Sequence, residues 1–358
     1  MVNELNDERK AIDVARTFAN YAIVLMHAWA AYQYVAADTC EYRFWHFVCN
    51  DMTAAVLPGL FLISGYLLAN GMVGATWILW REKLWRRVKR LAVPYTAWNV
   101  TFVVFYLLAS RLVPRLAQRV SSFGLDTLGG AFNKCISLMT DPIDMPTWFM
   151  RTLFIYALLS VFLLPLLRRV NGLIAYGLLG IWFAVTLWLG IGKALKFTYP
   201  FYSTLCFVVG MHLSVIGKSP FVIFKAIPWR IVPLVGMAGL AFYYARWHWS
   251  YSVMRDISFM LMLPFLFAYS PWFCKFANRL PHWDFFKRSS FFLYTGHFLF
   301  CSIALHLFAP LLGSWHASGK LTFLVVEFCT IGVAVNLLFY WMGRKLLRKA
   351  FCVWDGSL

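Results

Sequence analysis

Apolar residues occur along the chain in long runs that are separated by short polar stretches. Ten of these runs are close to the roughly 20 residues that a helix needs to cross a lipid bilayer. They occupy residues 12–34, 54–72, 94–110, 148–167, 171–190, 198–216, 229–246, 257–272, 289–311 and 321–343. The pattern predicts an all-α membrane protein, a bundle of about ten transmembrane helices that forms a single domain over residues 1–358. An even number of spans places both termini on the same side of the membrane.

Lysine and arginine are unevenly divided between the segments that join these runs. With the amino terminus in the cytoplasm, the inner segments contain 21 of them and the outer segments contain ten. Cytoplasmic loops of membrane proteins are enriched in Lys and Arg, so this bias favours two cytoplasmic termini. We therefore expect a polar cytoplasmic N-terminus over residues 1–11 and a basic cytoplasmic tail over residues 344–358.

The inner segment after the second run is predicted to form an amphipathic helix at the cytoplasmic surface. Its apolar positions follow helical spacing: Trp77, Trp80, Leu84, Val88 and Leu91. Its basic positions cover the other side: Lys83, Arg86, Arg87 and Arg90. Attraction to anionic lipid explains most of these charges. Arg87 and Arg90, three residues apart and directly before an expected turn at Pro94 and Tyr95, would also suit a phosphorylated cytosolic ligand.

Composition supports the membrane assignment and narrows the partners. Hydrophobic residues make up 61% of the chain and charged residues 13%, which is far from the balance of a soluble protein. The net charge of +18 therefore indicates contact with membrane lipid or phosphate groups, and we expect no nucleic acid. The eight cysteines form no ligand-like pairs, so no metal site is expected.

The first apolar run contains two ionisable residues, Arg16 and His27, eleven positions apart. Eleven steps of about 100° bring both side chains to one stripe of a helix, about 16 Å apart along its axis. Ionisable groups at membrane depth usually face the interior of the bundle and have a function. Two simpler readings stay open: a snorkelling Arg16 at the membrane edge, and a His27 that forms a hydrogen bond between helices.

Other runs contain isolated polar residues. Ser64 and Gly65 interrupt a bulky second run, where small residues allow close helix packing or a polar contact with a substrate. The fourth run carries Arg151, and Glu327 of the tenth run is the partner that we expect for it or for a histidine. His297 lies in the ninth run. The only long loop, residues 111–147, precedes Trp148 and could cover a site.

Taken together, these segments resemble the acyltransferase-3 family of multi-span membrane acyltransferases. The resemblance rests on five segments in order: the Arg-x10-His spacing from Arg16 to His27, FLISGYLL at 61–68, the Arg-x-x-Arg-Leu-x-x-Pro-Tyr pattern from Arg87, Trp148-Phe149-Met150 with Tyr156, and Ser290 to His297. Two features depart from members that modify O-antigen or peptidoglycan: Leu153 stands where they often have a glutamate, and no hydrolase-like domain follows. The free-standing type is therefore the closer match.

The resemblance implies an activity and a set of site residues. Members move an acyl group, usually acetyl, from cytosolic acyl-CoA to a hydroxyl of a cell-envelope carbohydrate. Arg16, Arg87 and Arg90 would then bind the phosphates of acetyl-CoA, the acyl-donor co-substrate, and His27 would lie near the thioester. Ser64, Trp148, His297 and Glu327 are candidates for contact with the acceptor, a sugar or lipid-linked glycan. The bacterial inner membrane is the expected location.

Acyl transfer to an alcohol needs a base for the hydroxyl proton and a donor for the developing oxyanion. An imidazole suits the first task because its unperturbed pKa lies near neutrality. Our hypothesis is direct attack with His27 as the general base and without a covalent acyl-enzyme. A transporter, or an exporter of a lipid-linked envelope substrate, is the alternative, since charged groups inside a helix bundle also mark transport paths.

Overall fold

A computed structural model describes residues 2–32, 40–72, 75–137, 141–169, 174, 176–178, 180–181, 201–245, 253–312 and 324–357. Throughout these ranges every regular element is a helix, which confirms the all-α prediction. Helices suit a chain of this composition because their backbone groups form hydrogen bonds within the segment, and the bilayer core offers no other partner.

The described residues up to Arg169 form seven α-helices. They are α1 (Val2–Tyr32), α2 (Cys40–His46), α3 (Leu57–Ala69), α4 (Trp77–Leu112), α5 (Pro114–Ser122), α6 (Leu128–Ile136) and α7 (Trp148–Arg169). A π-helical turn, Phe47–Met52, follows α2, and a 3-10 turn, Met145–Thr147, precedes α7. The polar residues that precede the first apolar run are thus the first turns of α1.

The second half of the described chain forms nine further α-helices. They are α8 (Phe201–Val215), α9 (Pro220–Phe224), α10 (Ile227–Ala245), α11 (Val253–Met262), α12 (Phe265–Ala268), α13 (Ser270–Arg279), α14 (Trp283–Leu312), α15 (Asn336–Leu346) and α16 (Cys352–Asp355). A π-helical segment, Glu327–Val335, leads directly into α15.

Several helical segments are long and apolar enough to cross a membrane. In the described part of the chain there are four of them: Tyr42–Ala69, Trp77–Leu112, Met145–Arg169 and Leu324–Leu346. A fifth is formed if Ile257–Ala268 and Ser270–Arg279, which meet at 52°, count as one span. The protein is therefore a multi-pass membrane protein. The expected fifth span, 171–190, falls mostly outside the described residues, and the total of ten stays a prediction.

Helices α3 and α8 pack with their backbones in direct contact. A Cβ atom placed on Gly65 would lie 2.0 Å from the carbonyl oxygen of Phe207, and one on Gly210 would lie 2.1 Å from that of Leu62. Only glycine permits this approach from both helices. The close-packing role expected for the small residues of the second run is thus confirmed at Gly65.

Helix α4 differs from the expected surface helix followed by a turn. The turn predicted at Pro94 and Tyr95 is wrong, because α4 continues through both residues from Trp77 to Leu112. A proline inside a helix removes one main-chain hydrogen bond and disturbs its neighbours, yet here both residues are buried against other helices, which hold the helix together. The cationic first half of α4 is consequently continuous with its apolar second half.

The long loop before α7 is folded against the helix bundle. The hydroxyl of Tyr95 in α4 donates to the carbonyl oxygen of Ser137 at 3.1 Å, and the guanidinium of Arg151 donates to the same oxygen at 2.9 Å. The hydroxyl of Tyr294 in α14 donates to the carbonyl oxygen of Pro146. The loop thus reaches the helix that carries His297.

Candidate functional site

Helices α1 and α14 meet along a seam of polar contacts. Lys287 lies 3.5 Å from Asp13 at the end of the seam nearest the start of α1, and the amide of Asn20 donates to Ser290 at 3.4 Å in the middle. Further along, the rings of His27 and His297 lie 5.1 Å apart, centroid to centroid. Asp13, Asn20 and His27 are seven residues apart, which is close to two helical turns, so they share one face of α1.

A cavity of about 660 Å³ opens at the Asp13 end of this seam. Five cationic side chains line it: Arg16 from α1, and Lys83, Arg86, Arg87 and Arg90 from α4. Arg16 is within electrostatic range of both Arg87 and Arg90. The structure therefore brings together the three arginines that the sequence analysis selected, although they lie on two helices more than seventy residues apart.

The charges of this cavity favour an anionic ligand with several phosphate oxygens. Crowded cations repel one another, and an anion between them relieves that repulsion. Guanidinium groups also offer planar pairs of donors that match phosphate oxygens. Lys83 contributes a point charge and is itself anchored, since its ammonium donates to the carbonyl oxygen of Asn70.

The two histidines lie at the other end of the seam. His297 is fully buried, and its Nδ1 lies 3.1 Å from the carbonyl oxygen of Leu293. A carbonyl only accepts, so Nδ1 carries the proton, and Nε2 of neutral His297 is left with a lone pair. Among the described residues, Nε2 has no hydrogen-bond partner. His27 is half-buried between this ring and Phe298.

The cavity and the histidine pair are separate in the structure. Among the described residues, the cavity lining includes Arg16 of α1 and Phe291 of α14 but neither histidine. His27 is eleven residues beyond Arg16, about 16 Å along the helix. The contact between Asn20 and Ser290 lies between the two levels.

The other selected residues lie away from the cavity lining. Ser64 is half-buried on α3, and Trp148 packs against Phe61, with ring centroids 6.1 Å apart. Glu327 is 1% exposed and lies close to Cys301. Cys301 is on α14, one helical turn beyond His297. The structure does not bring Ser64 or Trp148 to the arginine cluster.

Of the two partners expected for Glu327, Arg151 or a histidine, the pairing with Arg151 is wrong. Arg151 donates to the carbonyl oxygen of Ser137, just past the end of α6, where a left-handed Ser137 (φ 38°) turns the chain. Cations are favourable near carbonyl groups at helix C-termini, which explains this choice. Neither carboxylate oxygen of Glu327 has a hydrogen-bond partner in the described part of the chain.

Some residues of the site escaped the sequence analysis. The amphipathic pattern predicts that Lys83 and Arg86 face lipid headgroups, yet both line the cavity. Asn20 and Ser290 were not selected as a contact. The seven-residue spacing of Asp13, Asn20 and His27 was present in the sequence, but its partners on α14 were not evident from spacing alone.

The fold and the site together define a class: a multi-pass membrane protein, helical throughout its described residues, with a cationic cavity and a pair of neighbouring histidines. The acyltransferase-3 family model, which is described as an acyltransferase domain, matches residues 9–342 of the chain. The chain therefore belongs to this family of acyltransferases. No curated protein and no solved structure matches it.

Proposed function

We propose that this protein transfers an acyl group, in the first instance acetyl, from cytosolic acyl-CoA to a hydroxyl of a cell-envelope sugar or lipid-linked glycan. One observation carries the proposal: the helix that contributes Arg16 to a cationic cavity also carries His27 beside His297. Membership of an acyltransferase family supports acyl transfer as the reaction. The proposed location is a bacterial inner membrane, with ten spans and both termini in the cytoplasm.

In this proposal the cationic cavity binds the nucleotide end of the donor. Arg16, Arg87 and Arg90 contact the phosphates of CoA, and Lys83 and Arg86 add to the positive potential. The pantetheine arm then extends between α1 and α14 past Asn20 and Ser290. Entry of the arm separates that contact and brings the thioester beside the two histidines.

His27 acts as the general base in this proposal. Its imidazole takes the proton of the acceptor hydroxyl while the oxygen attacks the thioester carbonyl carbon. The tetrahedral intermediate collapses as the carbon–sulfur bond breaks, and the imidazolium returns the proton to the CoA sulfur. His297 supports the ring of His27, and Ser64, Trp148 and Glu327 contact the acceptor side.

The first prediction concerns His27. In reconstituted membranes supplied with acetyl-CoA and envelope glycan, His27→Ala is expected to reduce kcat by about 10²- to 10⁴-fold, the range for loss of a general base. The measurement is release of free CoA together with transfer of radiolabelled acetyl.

His282→Asn is the control, because His282 is exposed and asparagine tolerates its left-handed backbone (φ 57°). Normal transfer by His27→Ala would contradict the role, and absence of CoA release by the native protein would favour a transporter.

The second prediction concerns donor binding. Arg87→Gln is expected to raise KM for acetyl-CoA about tenfold, because loss of one charge-assisted hydrogen bond costs about 1.5 kcal/mol. The matched control is Arg81→Gln, which removes the same charge from an exposed site on α4 outside the cavity lining. Equal effects of the two substitutions would show that the cavity does not bind the donor.

A further inference from the structure

The chain that follows the family match contributes to the cationic cavity. The match ends at residue 342, whereas Asp355 and Gly356 lie on the cavity wall. We name residues 347–357 the C-terminal strap. It was expected to be part of a basic cytoplasmic tail, yet in the structure it folds back against α4, α14 and α15.

Reciprocal tryptophan contacts fix the strap to α4. The indole nitrogen of Trp98 donates to the carbonyl oxygen of Trp354 at 3.1 Å, and that of Trp354 donates to the hydroxyl of Thr101 at 3.1 Å. Phe351 is 5% exposed and packs against Phe292 of α14 at 5.0 Å between ring centroids. These contacts hold the strap on the bundle.

An ion pair joins the end of the strap to α15. Nε of Arg344 lies 2.9 Å from a carboxylate oxygen of Asp355, whose side chain is 2% exposed. The other carboxylate oxygen accepts a hydrogen bond from the backbone of Ser357 at 3.0 Å. Arg344 is outside the cavity lining and Asp355 is on it, so the pair connects the cavity wall to a helix behind it.

Gly356 brings the strap against α14. It adopts a left-handed conformation (φ 69°), and a Cβ atom on it would lie 2.7 Å from the ring of Phe291. Phe291 also lines the cavity. Glycine is therefore required here both for the turn and for the contact that completes the wall.

We propose that the C-terminal strap forms one wall of the acyl-donor site and that Arg344 is a positioning residue that holds it there through Asp355. This rests on the proposed binding of acyl-CoA in the cationic cavity. The strap bounds the part of the cavity in which the nucleotide end of acyl-CoA binds to the arginines. Its displacement weakens donor binding equally in the ground state and the transition state, so KM rises and kcat is retained.

Two variants test the strap by different physical changes. Arg344→Gln breaks the ion pair and leaves the Asp355 charge beside the cavity. Gly356→Val changes no charge but forces the turn away from Phe291. Both are expected to raise KM for acetyl-CoA about tenfold with kcat within twofold of the native value, and Arg344→Lys is expected to restore most of the affinity. Lys349→Gln is the control, since it removes one positive charge from an exposed position on the strap.

Arg87→Gln, measured in parallel, separates this proposal from the proposed function. If Arg87→Gln raises KM but Arg344→Gln and Gly356→Val leave it unchanged, the strap proposal is overturned and the donor cavity stands. If none of the three changes KM, both are overturned. If the strap variants lower kcat and thermal stability while KM stays constant, the strap has only a structural role and the proposal fails.

Discussion

Asp144 shows how a single residue can be held in an unfavourable environment. Its backbone N–H donates to Asn99 at 3.2 Å and its carbonyl oxygen accepts from Thr147 at 2.6 Å, so the backbone is well bonded. The carboxylate is buried, and neither of its oxygens has a hydrogen-bond partner among the described residues. Burial raises the pKa of the Asp144 carboxyl well above its usual range.

The raised pKa of Asp144 makes stability depend on pH. The folded state retains this proton at pH values where the unfolded chain has lost it. The contribution of protonated Asp144 to the free energy of unfolding is therefore fully present below about pH 4, and it is lost as pH rises through the pKa of the folded state. Asp144→Asn cannot ionise. We expect its melting temperature to match the native protein near pH 4 and to exceed it at pH 8.

Thermal unfolding of detergent-solubilised protein at these two pH values measures the effect. Asp141→Asn is the control, because Asp141 is in the same loop and is exposed. A larger loss of stability for Asp144→Asn at pH 8 than at pH 4 would contradict the assignment of a buried, protonated carboxyl.

Individual helices of this protein carry residues of two kinds, ones that line the cavity and ones that pack in the bundle or lie beside the histidines. Helix α4 carries four cations of the cavity in its first half and packs apolar residues in its second half, without the expected turn between them. Helix α1 likewise runs from Arg16 to His27. A rigid helix keeps the distance between a binding group and a reactive group constant, which a hinged connection would not do.

The crossing of α3 and α8 gives a prediction about packing. Gly65→Ala places a methyl group where the backbone of Phe207 lies, so the helices must separate. Overpacking of this kind costs about 1–3 kcal/mol, and we expect a melting temperature lower by several degrees. Gly129→Ala is the control, because a Cβ atom there meets nothing within 4 Å. Equal melting temperatures for the two variants would show that the close crossing is not required.

On the scale of the whole molecule, the distribution of positive charge is the property that matters for orientation. The proposed ten spans place both termini, the cationic cavity and the strap on the cytoplasmic side, where acyl-CoA is found. The C-terminal strap contacts α4 close to this cavity, so the carboxyl terminus and the cavity lie on the same side of the protein.

This topology is testable with reporter fusions. Alkaline phosphatase fused to either terminus is expected to be inactive, and green fluorescent protein at either terminus is expected to fluoresce, because both reporters respond to the side of the membrane. A fusion of phosphatase within residues 124–127, in the loop between α5 and α6, is expected to be active and is the positive control. Opposite results at the two termini would exclude an even number of spans.

The sequence alone determined the properties that depend on local pattern. Runs of apolar residues are sufficient to predict membrane helices, because a spanning segment must be long and must satisfy its own backbone hydrogen bonds. The eleven-residue spacing was likewise enough to place Arg16 and His27 on one stripe of α1, because helical geometry is regular.

Only the tertiary structure decided which helices meet. Three features of the site join segments that are far apart in the chain. His297 lies beside His27, Arg16 lines the same cavity as the cations of α4, and Asp355 of the C-terminal strap lies on the cavity wall. The same is true of Arg151, which binds the carbonyl oxygen of Ser137 and not Glu327. Periodicity assigns a residue to a face of its own helix, but the neighbour of that face depends on packing of the whole bundle, and no local pattern encodes it.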